Sequence, residues 1–209
     1  GGAFGIGFIV GPIMGGYIEH LTGSAASPFF IAGMLGIVNL ISVSLFLPET
    51  RQPREATHSI TFLKAIINIQ HAFTHSKASP VYVSSFLYMI GFTFFTTSSG
   101  IYLVERFGLS AASLGTYFGV IGVWIVITQG FILRVITKKY EERQILFISL
   151  LCVAFAIACT PYAPSMTYQY ILAPLIAIPQ GLSMATMSAL ISKSVDENMQ
   201  GMALGINSS

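Results

Sequence analysis

An all-α protein that crosses a membrane several times is the fold class three features of this sequence predict. Hydrophobic residues make up 54% of the 209 and charged residues only 9%, against about a quarter charged in an ordinary soluble domain. Mean hydropathy is +0.75. The apolar residues are also gathered into runs at 28–47, 80–104, 113–133, 144–163 and 167–192. Each has about the 20 residues that a helix needs to cross the hydrocarbon. Partial runs at 1–18 and 199–209 flank them, so the pattern predicts seven passes, five of them whole. Both ends read as cut spans, and the chain is expected to be a piece of a longer protein. No basic leader with a cleavage site precedes the first run, so no targeting signal is read.

Orientation follows from charge, because short cytoplasmic loops retain Lys and Arg. Arg51, Arg54, Lys64 and Lys77 fall in one connection, Arg134, Lys138, Lys139 and Arg143 in a second, and Lys193 in a third. Strict alternation of the spans puts all three on one side, with Arg106 alone on the other. That side is expected to be cytoplasmic, in a cell membrane of bacterial inner-membrane type.

The first run carries Gly7, Gly11, Pro12, Gly15 and Gly16 with no charge before Glu19. Water punishes one proline and several glycines inside a helix, but a membrane helix tolerates them because its neighbours shelter the backbone. Gly7, Gly11 and Gly15 recur every four residues, which makes a smooth strip for close helix approach, and Pro12 bends the same helix. Gly115, Gly119 and Gly122 in the 113–133 span are expected at comparable depth and to meet that strip. The spacing Gly-x-x-x-Gly-Pro-x-x-Gly-Gly resembles the antiporter motif in the fifth span of drug:proton antiporters of the major facilitator superfamily, the branch that includes tetracycline-type efflux pumps.

The 28–47 run ends in Leu47-Pro48-Glu49-Thr50, where proline stops the helix, and a long connection, 48–79, follows. Within it Phe62, Ile66, Ile69 and Phe73 recur at helical spacing, which suits a short amphipathic helix on the membrane surface or a solvated linker helix. Superfamily members have twelve spans in two halves joined by such a loop, and the tetrapeptide resembles the end of their sixth span. The resemblance therefore implies a major facilitator-like bundle running from span five to the start of span eleven. Residues 1–47 would close the N-terminal half, 48–79 form the central cytoplasmic loop, and 80–209 begin the C-terminal half.

Between the 113–133 and 144–163 runs, Gly130 leads to Arg134 and on to Arg143, a stretch similar to the weakened second copy of the superfamily's Gly-x-x-x-Asp-Arg loop, with Arg134 at the usual acidic position. Arg134 and Arg143 are nominated as a cytoplasmic gate, against the plainer reading of membrane anchoring. Asp196 and Glu197 are their nominated partners, although Ser194 to Glu197 also reads as a capping box for the last helix.

Enzyme chemistry is not expected. Ser183 lies in an apolar span, but a serine nucleophile needs a general base, and His20, His58, His71 and His75 all fall in loops or at the surface. His71 and His75 have metal-pair spacing without an evident third ligand. No Lys-Ser/Thr follows the glycines to make a nucleotide loop. Cys152 and Cys159 stand about 10 Å apart along one helix, too far for a disulfide. No cofactor, no metal and no nucleic-acid partner is read.

No Asp or Glu falls near the middle of a span, so a proton-coupling carboxylate is expected in spans outside this chain. Aromatic and neutral polar residues do occur within the spans. In the resembled fold, spans seven, eight, ten and eleven face the central cavity. That nominates Tyr88, Phe92, Phe95, Thr96, Tyr117, Trp124, Gln129 and Gln180 as a lining for an amphipathic or aromatic compound, against the plainer reading of packing or lipid-facing aromatics. The resemblance thus implies a secondary transporter that exports a small organic compound in exchange for protons, with the lipid bilayer as its surroundings. An uptake symporter or facilitator of the same fold, and a membrane sensor or scaffold without transport, are the alternatives.

Overall fold

The computed structural model describes residues 2–47, 79–195 and 200–208. Among these residues the secondary structure is helical and no strand occurs. Helix α1 spans Gly2–Thr22, α2 Ser27–Phe46 and α3 Ser79–Phe107. Helix α4 runs over Ala111–Ile136, α5 over Glu142–Cys159, α6 over Met166–Lys193 and α7 over Gln200–Ser208. The described helices α2 to α6 are each long and apolar enough to cross a membrane. Their positions follow the apolar runs of the sequence. The connection 48–78, with the surface helix expected there, and residues 196–199, with Asp196 and Glu197, lie outside the described residues.

Helix ends are set by local chemistry. Gly23 and Gly108 adopt positive φ, 65° and 64°. There each turns the chain out of α1 or α3, its N–H donating 2.9 Å to the Glu19 or Val104 carbonyl, a left-handed cap that glycine enters without a Cβ penalty. Ser110 starts α4 by accepting from the Ser113 N–H at 3.2 Å. Glu141 opens α5, its N–H donating to Gln144 Oε1 at 3.4 Å.

Helix α4 holds a deviation with no plain sign in its apolar pattern: Thr128–Ile132 winds as a π-helix. Such a turn adds a residue to the repeat and is a recurrent feature of functional sites. The Thr128 hydroxyl donates to the Trp124 carbonyl at 2.7 Å, satisfying itself on its own helix.

Three buried clusters organise the bundle. Leu103, Tyr117, Ile121, Ile125, Ala173 and Ala177 join α3, α4 and α6. Phe95, Val153, Ala156 and Ile176 join α3, α5 and α6. Tyr82, Ile191 and Ala203 join α3, α6 and α7, where the Tyr82 hydroxyl donates to the Ala203 carbonyl at 3.2 Å. Helix α6 is the hub and contributes to all three. Helix α2 is the opposite case, with no buried residue and a surface of Phe, Leu, Ile and Val exposed along its whole length. In a membrane that surface faces a solvent as apolar as itself.

Candidate functional site

Antiparallel helices α1 and α4 form a close seam, and its geometry corrects one expectation. Gly115, Gly119 and Gly122 are buried against α1. A Cβ added at Gly122 would stand 2.8 Å from the Ile9 nitrogen and 3.0 Å from its Cα, and one at Gly115 would collide with the Pro12 carbonyl. The α1 residues in this contact are Gly5, Ile9, Pro12, Ile13 and Gly16, not Gly7, Gly11 and Gly15. A Cβ at Gly16 would strike the Ala111 carbonyl and one at Gly5 would lie 2.7 Å from Val126 Cγ2, whereas Gly7, Gly11 and Gly15 have nothing within 4 Å. The reason is rotational. Residues 5, 9, 12, 13 and 16 lie on one helical face, and Gly7, Gly11 and Gly15 lie on another.

Around the seam a series of aromatic rings passes from helix to helix. Tyr88 stacks on Phe92 at 6.1 Å along α3, and Phe92 meets Phe8 of α1 at 6.4 Å. Phe8 stands edge-on to Phe118 of α4 at 6.4 Å, Phe118 to Tyr117 at 5.6 Å, and Tyr117 to Tyr170 of α6 at 5.7 Å. Six rings on four helices thus form one continuous path with spacings ordinary for interacting aromatics. Phe8, Phe118 and Tyr170 are the members the sequence reading missed. Phe8 adjoins Gly7 and lies four residues before Pro12, so the motif itself was the available signal.

Polar groups near these helices are buried without partners. The hydroxyls of Ser85, Tyr88 and Tyr117, Gln129 Oε1, Gln169 Oε1 and both amide atoms of Gln180 have no hydrogen-bond partner. Tyr117, Gln169 and Gln180 are fully buried. An unpartnered buried polar atom costs about 1–3 kcal/mol, and these groups on α3, α4 and α6 carry that cost. Gln129 and Gln180 each adjoin a close contact between α4 and α6: a Cβ at Gly181 would lie 3.1 Å from Thr128 Cγ2. The π-helical turn therefore begins where α4 presses on α6.

The remaining nominees divide differently. Phe95 is buried among Val153, Ala156 and Ile176, a packing position, which corrects its assignment to a lining. Trp124 packs against the α3, α4 and α6 cluster. Thr96 spends its hydroxyl on its own helix, at 3.1 Å from the Phe92 carbonyl and 3.0 Å from that of Thr93. Arg134 and Arg143 are both exposed, and among the described residues neither forms an ion pair. The ion pair that is present joins Lys193 at the end of α6 to Glu142 at the start of α5. The sequence held its signal: consecutive antiparallel helices bring the last residue of one beside the first of the other.

Residues 1–209, the whole chain, match the profile of the Major Facilitator Superfamily. The chain belongs to the major facilitator superfamily. Within it, this superfamily chain is 29% identical over 215 aligned residues to the class H tetracycline resistance protein of Pasteurella multocida, covering 98% of the chain and 51% of that protein. It is 24% identical to the class B tetracycline resistance protein of Escherichia coli, over 99% of the chain and 51% of the relative. It is also 29% identical to the multidrug efflux protein YfmO of Bacillus subtilis, over 74% of the chain and 35% of that protein. The chain spans about half the length of the tetracycline resistance proteins it matches.

Proposed function

We propose that the intact protein exports an amphipathic, aromatic organic compound from a bacterial cell in exchange for protons, by alternating access. The observation that carries this reading is the ring path from Tyr88 to Tyr170 with buried, unpartnered hydroxyls and amides beside it. Rings supply stacking and dispersion to a flat compound, and Tyr88 and Gln129, partly buried, supply orienting hydrogen bonds, with Tyr117 and Gln180, fully buried in this state, joining them when the helices part. The relatives named for tetracycline resistance and multidrug efflux support the direction of transport. Proton coupling rests on the antiporter motif and on groups beyond this chain. Residues 1–47 close the N-terminal half, 48–79 link the halves and 80–209 belong to the C-terminal half, so the α1–α4 seam joins the two halves. The ends of α4, α5 and α6 that bear Arg134, Lys138, Lys139, Arg143 and Lys193 face the cytoplasm. The Ser183 hydroxyl is paired with that of Ser149 at 2.8 Å, an interhelical contact that suits a packing role in a carrier.

The test is accumulation of tetracycline, then of a panel of amphipathic cations, in everted vesicles holding the full-length protein. Uptake should require an imposed proton gradient and collapse with a protonophore. Equal transport with and without the gradient overturns the coupling, and no transport of any compound overturns the carrier reading. Single cysteines at Lys139 and Ser165 check the orientation: an impermeant thiol reagent applied outside should label the Ser165 position alone.

A further inference from the structure

A second site lies away from the seam, in a cleft of about 450 Å³ between α5 and α6. Its size falls in the range of small-molecule sites, but its chemistry differs from that of the ring path. Ile145 and Ile148 of α5 and Leu175 and Ile178 of α6 line it, with Tyr140 at one end. Ser149 offers no free polar group, because its hydroxyl is bonded to the Leu146 carbonyl at 3.0 Å and to Ser183 Oγ at 2.8 Å. The cleft opens sideways: Ile148, Leu175 and Tyr140 are each more than half exposed, on a surface that meets lipid. Pro174 and Pro179, both inside α6, contribute to the same wall, where a proline ring stands in for a protruding side chain.

Its Tyr140 end is the basic end. Arg134, Lys138, Lys139 and Arg143 lie within ten residues around Tyr140, all of them exposed. Of the two acids in that stretch, Glu142 is engaged by Lys193. An apolar slot about 10 Å long from Ile145 to Cys152, running into the bilayer from a rim on which Arg134, Lys138, Lys139 and Arg143 form no ion pair among the described residues, is complementary to one class of molecule. We infer that the α5–α6 cleft binds an anionic phospholipid, one acyl chain lying along Ile145, Ile148, Ile178 and Leu175 and the phosphate at Lys138 and Lys139. With the orientation proposed above, this lipid belongs to the cytoplasmic leaflet. Tyr140 stands at headgroup level, where amphipathic rings are enriched, and basic pockets between membrane helices hold anionic headgroups on that side.

Native mass spectrometry of the full-length protein, purified from vesicles of equal phosphatidylglycerol and phosphatidylcholine, reads this directly. The wild type should retain phosphatidylglycerol in preference to phosphatidylcholine by several-fold. Lys138→Gln/Lys139→Gln should abolish the preference, and Ile148→Trp, which fills the slot, should remove the retained lipid while leaving the protein monodisperse. Leu175→Trp fills the opposite wall and guards against misfolding of the first. Equal retention in wild type and both tryptophan variants overturns the site. Loss of preference with the lysines but not with either tryptophan also overturns it, since the headgroup would then bind without the cleft. Displacement of the lipid by tetracycline would assign the cleft to the transported compound instead.

Discussion

Two antiparallel helix pairs in this bundle are joined in opposite ways. Between α1 and α4 glycines bring the helices together, Gly115 against the Pro12 carbonyl and Gly16 against that of Ala111, with the Ile9 and Ile13 side chains lying over Gly122 and Gly119. Between α5 and α6 it is made by side chains, with Ser149 and Ser183 hydroxyls bonded at 2.8 Å, Val153 and Ala156 packed on Ile176, and Glu142 paired with Lys193 across the helix ends. Small residues let two helices approach closely with few interlocking side chains. A pair fastened by hydrogen bonds and interdigitated side chains must break those contacts to shift. Under the alternating access proposed above, the first kind of joint suits a surface where two helices slide past one another, and the second suits a block that moves as one.

The largest effect should come from filling the smooth joint. Gly122→Leu or Gly115→Leu places a side chain against backbone that has no room to yield, and export should fall by more than tenfold in vesicle transport with the protein still inserted. Gly119→Leu should cost less, because the nearest atoms there are Ile13 Cδ1 at 2.5 Å and Cγ1 at 2.6 Å, the tip of a side chain that can turn away. Gly11→Leu, with nothing within 4 Å, should be the mildest of the series. Gly11→Leu as damaging as Gly122→Leu would break the distinction between the two faces of α1.

Next come the unpartnered polar groups. Replacing Gln180 by Leu removes two buried unsatisfied atoms, so thermal unfolding in detergent should show a gain of about 1 kcal/mol, while transport at low substrate concentration falls several-fold. Tyr117→Phe should move both readouts the same way by less. A variant that loses stability along with transport would mean that these groups serve packing and not a guest.

The fastened pair should respond weakly to single changes. Ser149→Ala removes one interhelical hydrogen bond, and bonds of this kind inside membranes are worth about 0.6 kcal/mol on average. A small drop in melting temperature is expected, with transport intact. Glu142→Gln should cost about as little, within the roughly 0.2–1 kcal/mol of exposed pairs, since the Lys193 side chain is 66% exposed. Transport lost in Ser149→Ala at unchanged stability would show that α5 and α6 also move against each other.

What could be read from the sequence alone divides along the same line. The five whole spans were legible because crossing hydrocarbon imposes a length and an apolarity on each helix separately, and 28–47 or 167–192 can be recognised without knowing its neighbour. Positive charge at the loops and the Gly-Pro spacing were legible for the same reason, being properties of one segment, and they led to the superfamily. Rotation about each helix axis was not legible. Nearly every face of α1 is apolar and two of them carry glycine, so nothing in residues 2–22 ranks Gly7, Gly11 and Gly15 below Gly5, Pro12 and Gly16. That choice belongs to the partner: α4 presents Gly115, Gly119 and Gly122, and the face of α1 that fills the space they leave is decided by fit between two surfaces. Phe8, Phe118 and Tyr170 joined the ring path, Phe95 left the nominated lining, and Glu142 found Lys193 on the same account, because each depends on which way two helices are turned when they meet.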